Sequence, residues 1–304
     1  MGTRVLITGI QGFTGRYLAA ELASAGYEVF GLANIPQVTP IPGVQAVYAG
    51  NLADSDSLVH IVEQVRPDMV AHLAAIAFVA HGDAEAIYRT NLIGSRNLLE
   101  ALVRAENPLQ AVLLASSANV YGNATGGMLD EHTSPAPAND YAVSKLAMEY
   151  MANLYQQRLP LTIVRPFNYS GHGQALSFLL PKIIDHIRRA APVIELGNLH
   201  VARDFSDVRT VVRYYRRLLE HPEARGQTYN ICSGQAYTLD QVLTMVRSLT
   251  SHIFEVSVNP AFVRANEVKI LLGDRTKLIR AVGAADDIPL IDTLAWMLET
   301  DLQI

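Results

Sequence analysis

The sequence predicts an α/β fold, a doubly wound parallel sheet with a smaller C-terminal lobe. Three observations carry that expectation. The strand-like segments are continuously apolar rather than alternating, which suits a parallel sheet covered on both faces. Helical patterns separate them, as crossovers between parallel strands require. A glycine-rich turn links the first strand to the first helix.

Val5-Leu6-Ile7 is the first strand, and residues 13–25 form a helix with Tyr17, Leu18 and Leu22 on one face. Gly26-Tyr27 turns into a second strand over 28–32, and a third lies near 44–48. A helix over 56–65 stops before Pro67. A fourth strand spans 69–73, one long helix 84–104, and a fifth strand 110–115. Residues 140–157 are another long helix, and 161–164 a sixth strand. After Pro166 the rhythm breaks. Turn residues Asn168, Ser170, Gly171 and Gly173 mix with helices near 177–189, 208–220 and 239–250, a strand at 229–231, and a terminal helix around Trp296. Residues 1–166 thus form one domain. Residues 167–304 form mainly the smaller lobe, with elements of about 205–235 returning to the main sheet.

A chain of 304 residues with 50% hydrophobic and 17% charged residues can bury a large core. The net charge of −5 and the lack of a basic run imply neither nucleic acid nor anionic membrane as a partner. The single cysteine, Cys232, excludes an internal disulfide and a cysteine-based metal cluster. The nine histidines show no metal-ligand spacing, so no metal is expected. No apolar run reaches transmembrane length and no leader pattern opens the chain, so the cytoplasm is the expected compartment.

The turn Gly9-Ile10-Gln11-Gly12-Phe13-Thr14-Gly15 brings backbone N–H groups to the positive end of a helix, a site for a pyrophosphate. The spacing is G-x-x-G-x-x-G, not the G-x-G-x-x-G of many dinucleotide-binding domains, but between a strand and a helix it reads as the phosphate turn of a Rossmann-type domain. An NAD-selective domain places an acid at the end of the second strand, where Asn34 stands here. With no carboxylate to repel a 2′-phosphate and Arg16 just past the third glycine, the cofactor is NADP(H) or NAD(H), inclining to NADPH.

Tyr141 and Lys145 stand four apart on one helical face. With 13 tyrosines and four lysines in the chain, chance would supply roughly 0.2 such pairs. A cation beside a phenol favours phenolate, which suits an acid/base acting on a hydroxyl or carbonyl oxygen.

Together these residues resemble the extended short-chain dehydrogenase/reductase family of nucleotide-sugar enzymes. The match runs through Gly9/Gly12/Gly15, His72-Leu73-Ala74-Ala75, Asn91 with Gly94, the run from Ser116 to Gly122, Tyr141/Lys145 and Arg165-Pro166-Phe167-Asn168. The resemblance implies Ser117, Tyr141 and Lys145 as the catalytic set. It implies Asn51, Leu52, Leu73, Ala74, Ala75 and Pro166 along the cofactor, and a supporting role for Asn91.

The second half resembles the GDP-4-keto-6-deoxy-mannose reductases, through Gly197-Asn198-Leu199, Arg203 to Arg209, Tyr229 to Gly234 and Arg264 to Val268. It implies a nucleotide-diphosphate sugar, GDP-linked in preference, bound by Ser117, Asn119, Asn168, Gln174, Lys182, Asn198, Arg203, Arg264 and Glu267. His172 stands where that group usually has proline, and Ile76-Ala77 where polar residues are common.

Related 4,6-dehydratases carry Asp-Glu directly after the catalytic Thr. Here Ala118 and Asn119 stand there, and neither does acid/base chemistry. The expected reaction is reduction of a C4 ketone, giving GDP-D-rhamnose. The alternatives are a reductase forming the other C4 epimer, of 6-deoxy-talose type, and a UDP- or dTDP-sugar epimerase. A cofactor-binding sensor without chemistry would not need the intact catalytic set. The family also implies a homodimer joined through the helices of 84–104 and 140–157.

Overall fold

A computed structural model of the protein describes residues 2–36, 39–77, 83–122, 127–260 and 269–299. Its first half runs β1 (Arg4–Thr8), α1 (Phe13–Ser24), β2 (Glu28–Ala33), β3 (Val44–Ala49), α2 (Ser55–Val65) and β4 (Met69–His72). There follow α3 (Ala84–Tyr88), α4 (Ser95–Arg104), β5 (Ala111–Ala115), α5 (Asp140–Asn153) and β6 (Leu161–Pro166).

The second half comprises β7 (Asn168–Ser170), α6 (Leu179–Arg188), β8 (Val193–Leu196), β9 (Ala202–Asp207), α7 (Val208–Glu220) and β10 (Thr228–Ile231). It ends with β11 (Ala236–Thr238), α8 (Leu239–Leu249), β12 (Glu255–Val258), β13 (Ile270–Leu271), α9 (Thr276–Val282) and α10 (Leu290–Leu298).

Seven strands form the main sheet in the order β10-β6-β5-β4-β1-β2-β3. Every pairing in it is parallel. The strand order reverses between β1 and β4, and such a crevice at the carboxyl ends of the strands is where open α/β sheets bind ligands. One helix layer packs through Leu18, Leu22, Val211, Tyr215 and Leu218 of α1 and α7. The other packs through Leu58, Leu98, Leu102, Met148 and Ala152 of α2, α4 and α5.

α7 reaches the sheet because Val208, Val211, Val212, Tyr215, Leu218 and Leu219 share a face and are buried. Its arginines turn outward, and Arg216 pairs with Glu21 of α1 at 2.8 Å. The next strand, β10, then adds beside β6. The smaller lobe has a separate core, with α6, β8, α8 and α10 contributing Ile183, Ile194, Val242 and Leu294. Its short strands β7, β11 and β13 all pair with β9.

The expectation of one long helix over 84–104 needs correction. Residues 89–94 form a π-helical turn between α3 and α4. The extra residue of such a turn frees Asn91 to face the loop after β4, with consequences described below. The helix expected over 140–157 ends at Asn153. Among the described residues, no helix is long and apolar enough to cross a membrane.

An interlobe clamp holds α10. Asp207 takes a two-point ion pair from Arg209, at 2.9 and 2.7 Å, and a bond from Thr293 at 2.8 Å. Arg209 stacks over Trp296, 3.7 Å from the ring centroid. The Trp296 carbonyl meets Nε2 of His172 at 2.6 Å. His172 thus holds its loop against α10 by a polar bond that proline could not make.

Gly9 is where the backbone has least choice. Its φ is +71°, and a Cβ would lie 2.8 Å from the Ala74 backbone. We expect Gly9→Ala to lower stability by about 2–3 kcal/mol in urea unfolding, from left-handed strain plus overlap. An unchanged midpoint would show that the turn can rearrange.

Candidate active site

The glycine turn leads directly into α1. Gly12 caps that helix with no side-chain bond, and no acidic residue lies in its first turn. By contrast, Asp54, Asp83, Asn139 and Asp207 cap α2, α3, α5 and α7 with side-chain oxygens. The N–H groups of the first turn of α1 are therefore left to an anion. A Cβ on Gly12 would lie 3.2 Å from the Gly9 carbonyl oxygen, and one on Gly15 would overlap the same atom. The three glycines thus keep a backbone cradle open, and it fits the pyrophosphate of a dinucleotide.

The neighbours of the cradle agree with an adenosine end near β2. Gln11 Nε2 donates to the Ile35 carbonyl at 3.3 Å, and Arg16 Nε donates to the Gln11 carbonyl at 3.2 Å. Arg16 and Asn34 are exposed. Asn51 Oδ1 accepts from Ala53 N at 2.9 Å, and the Leu52 carbonyl accepts from Asn97 at 2.8 Å. Leu73, Ala74 and Ala75 are half-buried after β4, and Ala74 N donates to Thr8 Oγ1 at 3.2 Å. Pro166 closes β6.

β5 delivers Ser117, and α5 delivers Tyr141 and Lys145. All three are buried, at 5, 7 and 3% exposure. Ser117 Oγ accepts from Asn119 Nδ2 at 3.0 Å and Asn119 N at 3.1 Å. The Ser117 hydroxyl also lies close enough to the Tyr141 phenol to favour its ionised form. Lys145 Nζ donates to the Ala115 carbonyl at 2.8 Å. Tyr169 links this group to the glycine turn. Its hydroxyl meets Thr14 Oγ1 at 2.7 Å, and its ring stacks on Phe13. It also lies near enough to Tyr141 to oppose ionisation there.

Burial dominates the electrostatics. It pushes the Tyr141 phenol up to about 12, with only Ser117 pulling the other way. The expectation that Lys145 makes the phenol more acidic is not met: burial raises the phenol, and the group opposing it is Ser117, not Lys145. Burial also pulls the Lys145 ammonium down to about 8, opposed by Glu149. Its neighbour His72 is pushed down to about 3, first by burial and then by Lys145. His72 is therefore neutral, and it bridges Thr8 and Ser95 at 2.7 and 2.8 Å.

Asn91 does support work. It accepts from Ile76 N at 2.8 Å and donates to Ile76 O at 3.1 Å and Ser144 Oγ at 3.0 Å. The π-turn thus ties the loop after β4 to α5, one residue before Lys145.

The expected substrate residues are placed less decisively. Asn168 donates to the Asp204 carbonyl at 3.3 Å, and Gln174 braces its own loop through Ser170 and Tyr169. Lys182 reaches the Glu195 carbonyl at 3.0 Å, Asn198 accepts from His200 N at 3.0 Å, and Arg203 donates to the Ala202 carbonyl at 2.9 Å. Arg264 and Glu267 lie outside the described residues. Sequence reasoning missed Ser116, Glu149 and the part played by Arg165. Glu149 continues the four-residue spacing of Tyr141 and Lys145, a signal that was available.

Comparison with known proteins places this geometry in context. The family model described as GDP-mannose 4,6 dehydratase matches residues 6–293. GDP-6-deoxy-D-talose 4-dehydrogenase of Aggregatibacter actinomycetemcomitans is 33% identical, over 92% of this chain and 91% of its own. GDP-6-deoxy-D-mannose reductase of Pseudomonas aeruginosa is also 33% identical, over 98% and 97%. Among solved structures, a Burkholderia cenocepacia J2315 protein provisionally described as an epimerase is 48% identical, with TM-score 0.90 and 97% of both chains covered. RMD from Pseudomonas aeruginosa, complexed with NADPH, is 31% identical with TM-score 0.84, again over 97% of both chains.

The buried ammonium of Lys145 makes a stability prediction. A folded value near 8 against 10.5 unfolded means that the unfolded chain binds more protons between those limits. Stability contributed by this group therefore rises with pH from about 8 to 10.5, and its burial cost is fully present at pH 7. Lys145→Met should stabilise the protein at pH 7 by about 3–4 kcal/mol, since a pKa unit is worth about 1.4 kcal/mol. The gain should fade by pH 10.5. Urea unfolding at both pH values checks this, and a destabilised variant at pH 7 would contradict it.

Proposed function

As a member of the GDP-mannose 4,6-dehydratase family of extended short-chain dehydrogenase/reductases, this chain is an NAD(P)-dependent nucleotide-sugar enzyme, and we propose that it reduces the C4 ketone of a nucleotide-linked 4-keto-6-deoxy sugar. The observation that carries this reading is the pairing of a protonated phenol with residues 118 and 119 that carry no acid or base. Tyr141, pushed up to about 12, is a proton donor at neutral pH. Ala118 and Asn119 provide no acid for loss of water, and Asn119 is spent on orienting Ser117.

Bound on the glycine cradle, a nicotinamide dinucleotide supplies the hydride. Tyr141 gives its proton to the C4 oxygen as the carbonyl becomes an alcohol. The Ser117 hydroxyl, fixed by Asn119, hydrogen-bonds the same oxygen and stabilises the charge developing there. Lys145 holds the cofactor ribose. NADPH is the favoured carrier, because Arg16 stands exposed beside Gln11 and no acid ends β2.

We assign residues 1–166 to cofactor binding and 167–304 mainly to the sugar nucleotide, with about 205–235 returned to the sheet. Asn168, Gln174, Lys182, Asn198, Arg203, Arg264 and Glu267 are the proposed contacts for a GDP-linked sugar. The two relatives named for GDP-6-deoxy sugars support GDP, and the product proposed is GDP-D-rhamnose. The talose-type epimer at C4 is the nearest alternative. Sugar epimerisation is a second reading, favoured by the Burkholderia relative. The proposed compartment is the cytoplasm.

Purified protein should oxidise NADPH one-for-one with GDP-4-keto-6-deoxy-mannose, followed at 340 nm, the usual absorbance of reduced nicotinamide. Tyr141→Phe should bind NADPH normally and lose about 10²–10⁴ in turnover. Interconversion of sugar alcohols without net cofactor oxidation would instead select the epimerase.

A homodimer is also proposed. Val143 and Tyr150 of α5, Leu154 just past its end and Ile93 of the π-turn are exposed, Leu154 at 79%. Sedimentation equilibrium should give a dimer that Leu154→Glu converts to monomer. A monomeric parent would rule this interface out.

A further inference from the structure

Three consecutive residues at the end of β5 are each tied to one residue of α5. The Ala115 carbonyl takes Lys145 Nζ at 2.8 Å. The Ser116 hydroxyl donates to Glu149 Oε1 at 2.5 Å. Ser117 lies close enough to the Tyr141 phenol to favour its ionised form. Tyr141, Lys145 and Glu149 are four residues apart, so they rise along one side of the helix.

The third rung is the one the proposed chemistry leaves unused. Glu149 is 6% exposed and accepts only donated bonds, as an ionised carboxylate does. Arg165 holds it by a fork, Nε to Oε1 at 3.0 Å and Nη2 to Oε2 at 2.7 Å. Arg165 is fixed in turn by the Tyr121 hydroxyl at 3.0 Å, which donates to Asn230 Oδ1 at 2.7 Å. A buried charge anchored to α5, β6 and β10 costs far more than a packing residue would.

We propose that Glu149 is a positioning residue that keeps Lys145 cationic and in register, and so sets the alkaline limit of turnover. Tyr141 and Glu149 lie on the same helix as Lys145, His72 lies near it on β4, and Arg165 of β6 is bound to Glu149. Burial holds His72 neutral and Tyr141 protonated. Arg165 is cationic and can only weaken the ammonium. Glu149 is thus the charge that opposes the burial of Lys145. When it is removed, Lys145 loses its proton at lower pH, and the cation is lost from the site as pH rises.

The link to turnover rests on the keto-reductase reading, but the charge effect on Lys145 does not. With four lysines in the chain, ¹³Cε-lysine labelling lets Lys145 be followed directly by NMR, its signal identified with Lys145→Arg. In Glu149→Gln its midpoint should fall by about one pH unit or more, roughly tenfold in protonation at fixed pH. Ser116→Ala, which removes a bond but no charge, should leave it nearly unchanged, and Glu149→Asp should largely restore it. The alkaline limb of kcat/KM with keto sugar should move by the same amount as the NMR midpoint.

Should Glu149→Gln fail to fold, the double variant Glu149→Leu/Arg165→Met replaces the buried pair with apolar groups and should show a fall in the same direction, smaller because the opposing cation goes with the carboxylate. An unmoved Lys145 midpoint, with activity lowered evenly at all pH values, would overturn the proposal. So would equal shifts in Glu149→Gln and Glu149→Asp. A shifted midpoint in a protein that reduces no keto sugar would uphold the charge effect and reject only the substrate reading.

Discussion

The docking of α5 on the end of β5 is the constraint on which the site depends. One helical face there carries a phenol, an ammonium and a carboxylate, and all three are buried. Charged groups leave water at high cost unless they find partners with good geometry. The partners here are backbone and hydroxyl groups of three successive residues, 115 to 117, together with Arg165. A shift of α5 by one residue would break all three connections together. The apolar packing of Met148 and Ala152 against the sheet sets the depth of the helix, and the polar rungs set its register.

That register explains why other parts of the fold look as they do. The π-turn at 89–94 spends a residue so that Asn91 can grip both backbone groups of Ile76 and still reach Ser144. Neutral His72 joins β1, β4 and α4 beneath the same place. Tyr169 crosses from the smaller lobe to Thr14, so the glycine cradle and the phenol share one wall. Polar groups in these positions are fully engaged, which is what makes a low-dielectric pocket tolerable.

The main sheet was legible in the sequence because each strand is a short apolar run between turn signals, and parallel strands need no finer pattern. The proposed catalytic set was legible because its spacing is a helix period and its residue types are rare enough to stand out. The break in the helix at Asn91 was not, since a single inserted residue leaves the apolar period on either side almost intact. The short strands β7, β11 and β13 escaped because two or three residues carry no periodicity. The Glu149–Arg165 pair was hidden for a different reason. Sixteen positions separate the two residues, and only the β5-α5-β6 crossover brings them together. Arg264 and Glu267, read from resemblance alone, lie outside the described residues.

The direction of the proposed chemistry follows from burial more than from charge. A phenol in water ionises near 10, and desolvation here moves Tyr141 further from ionisation, not closer. Such a group gives a proton readily only to an oxygen that is becoming strongly basic. The carbonyl oxygen of a ketone under hydride attack is one. A dehydration would require a second carboxylate near C5, and residues 118 and 119 supply none. A protonated tyrosine, a serine oriented by an amide, and a lysine whose charge is guarded by a fixed carboxylate are together better matched to reducing a ketone than to dehydration.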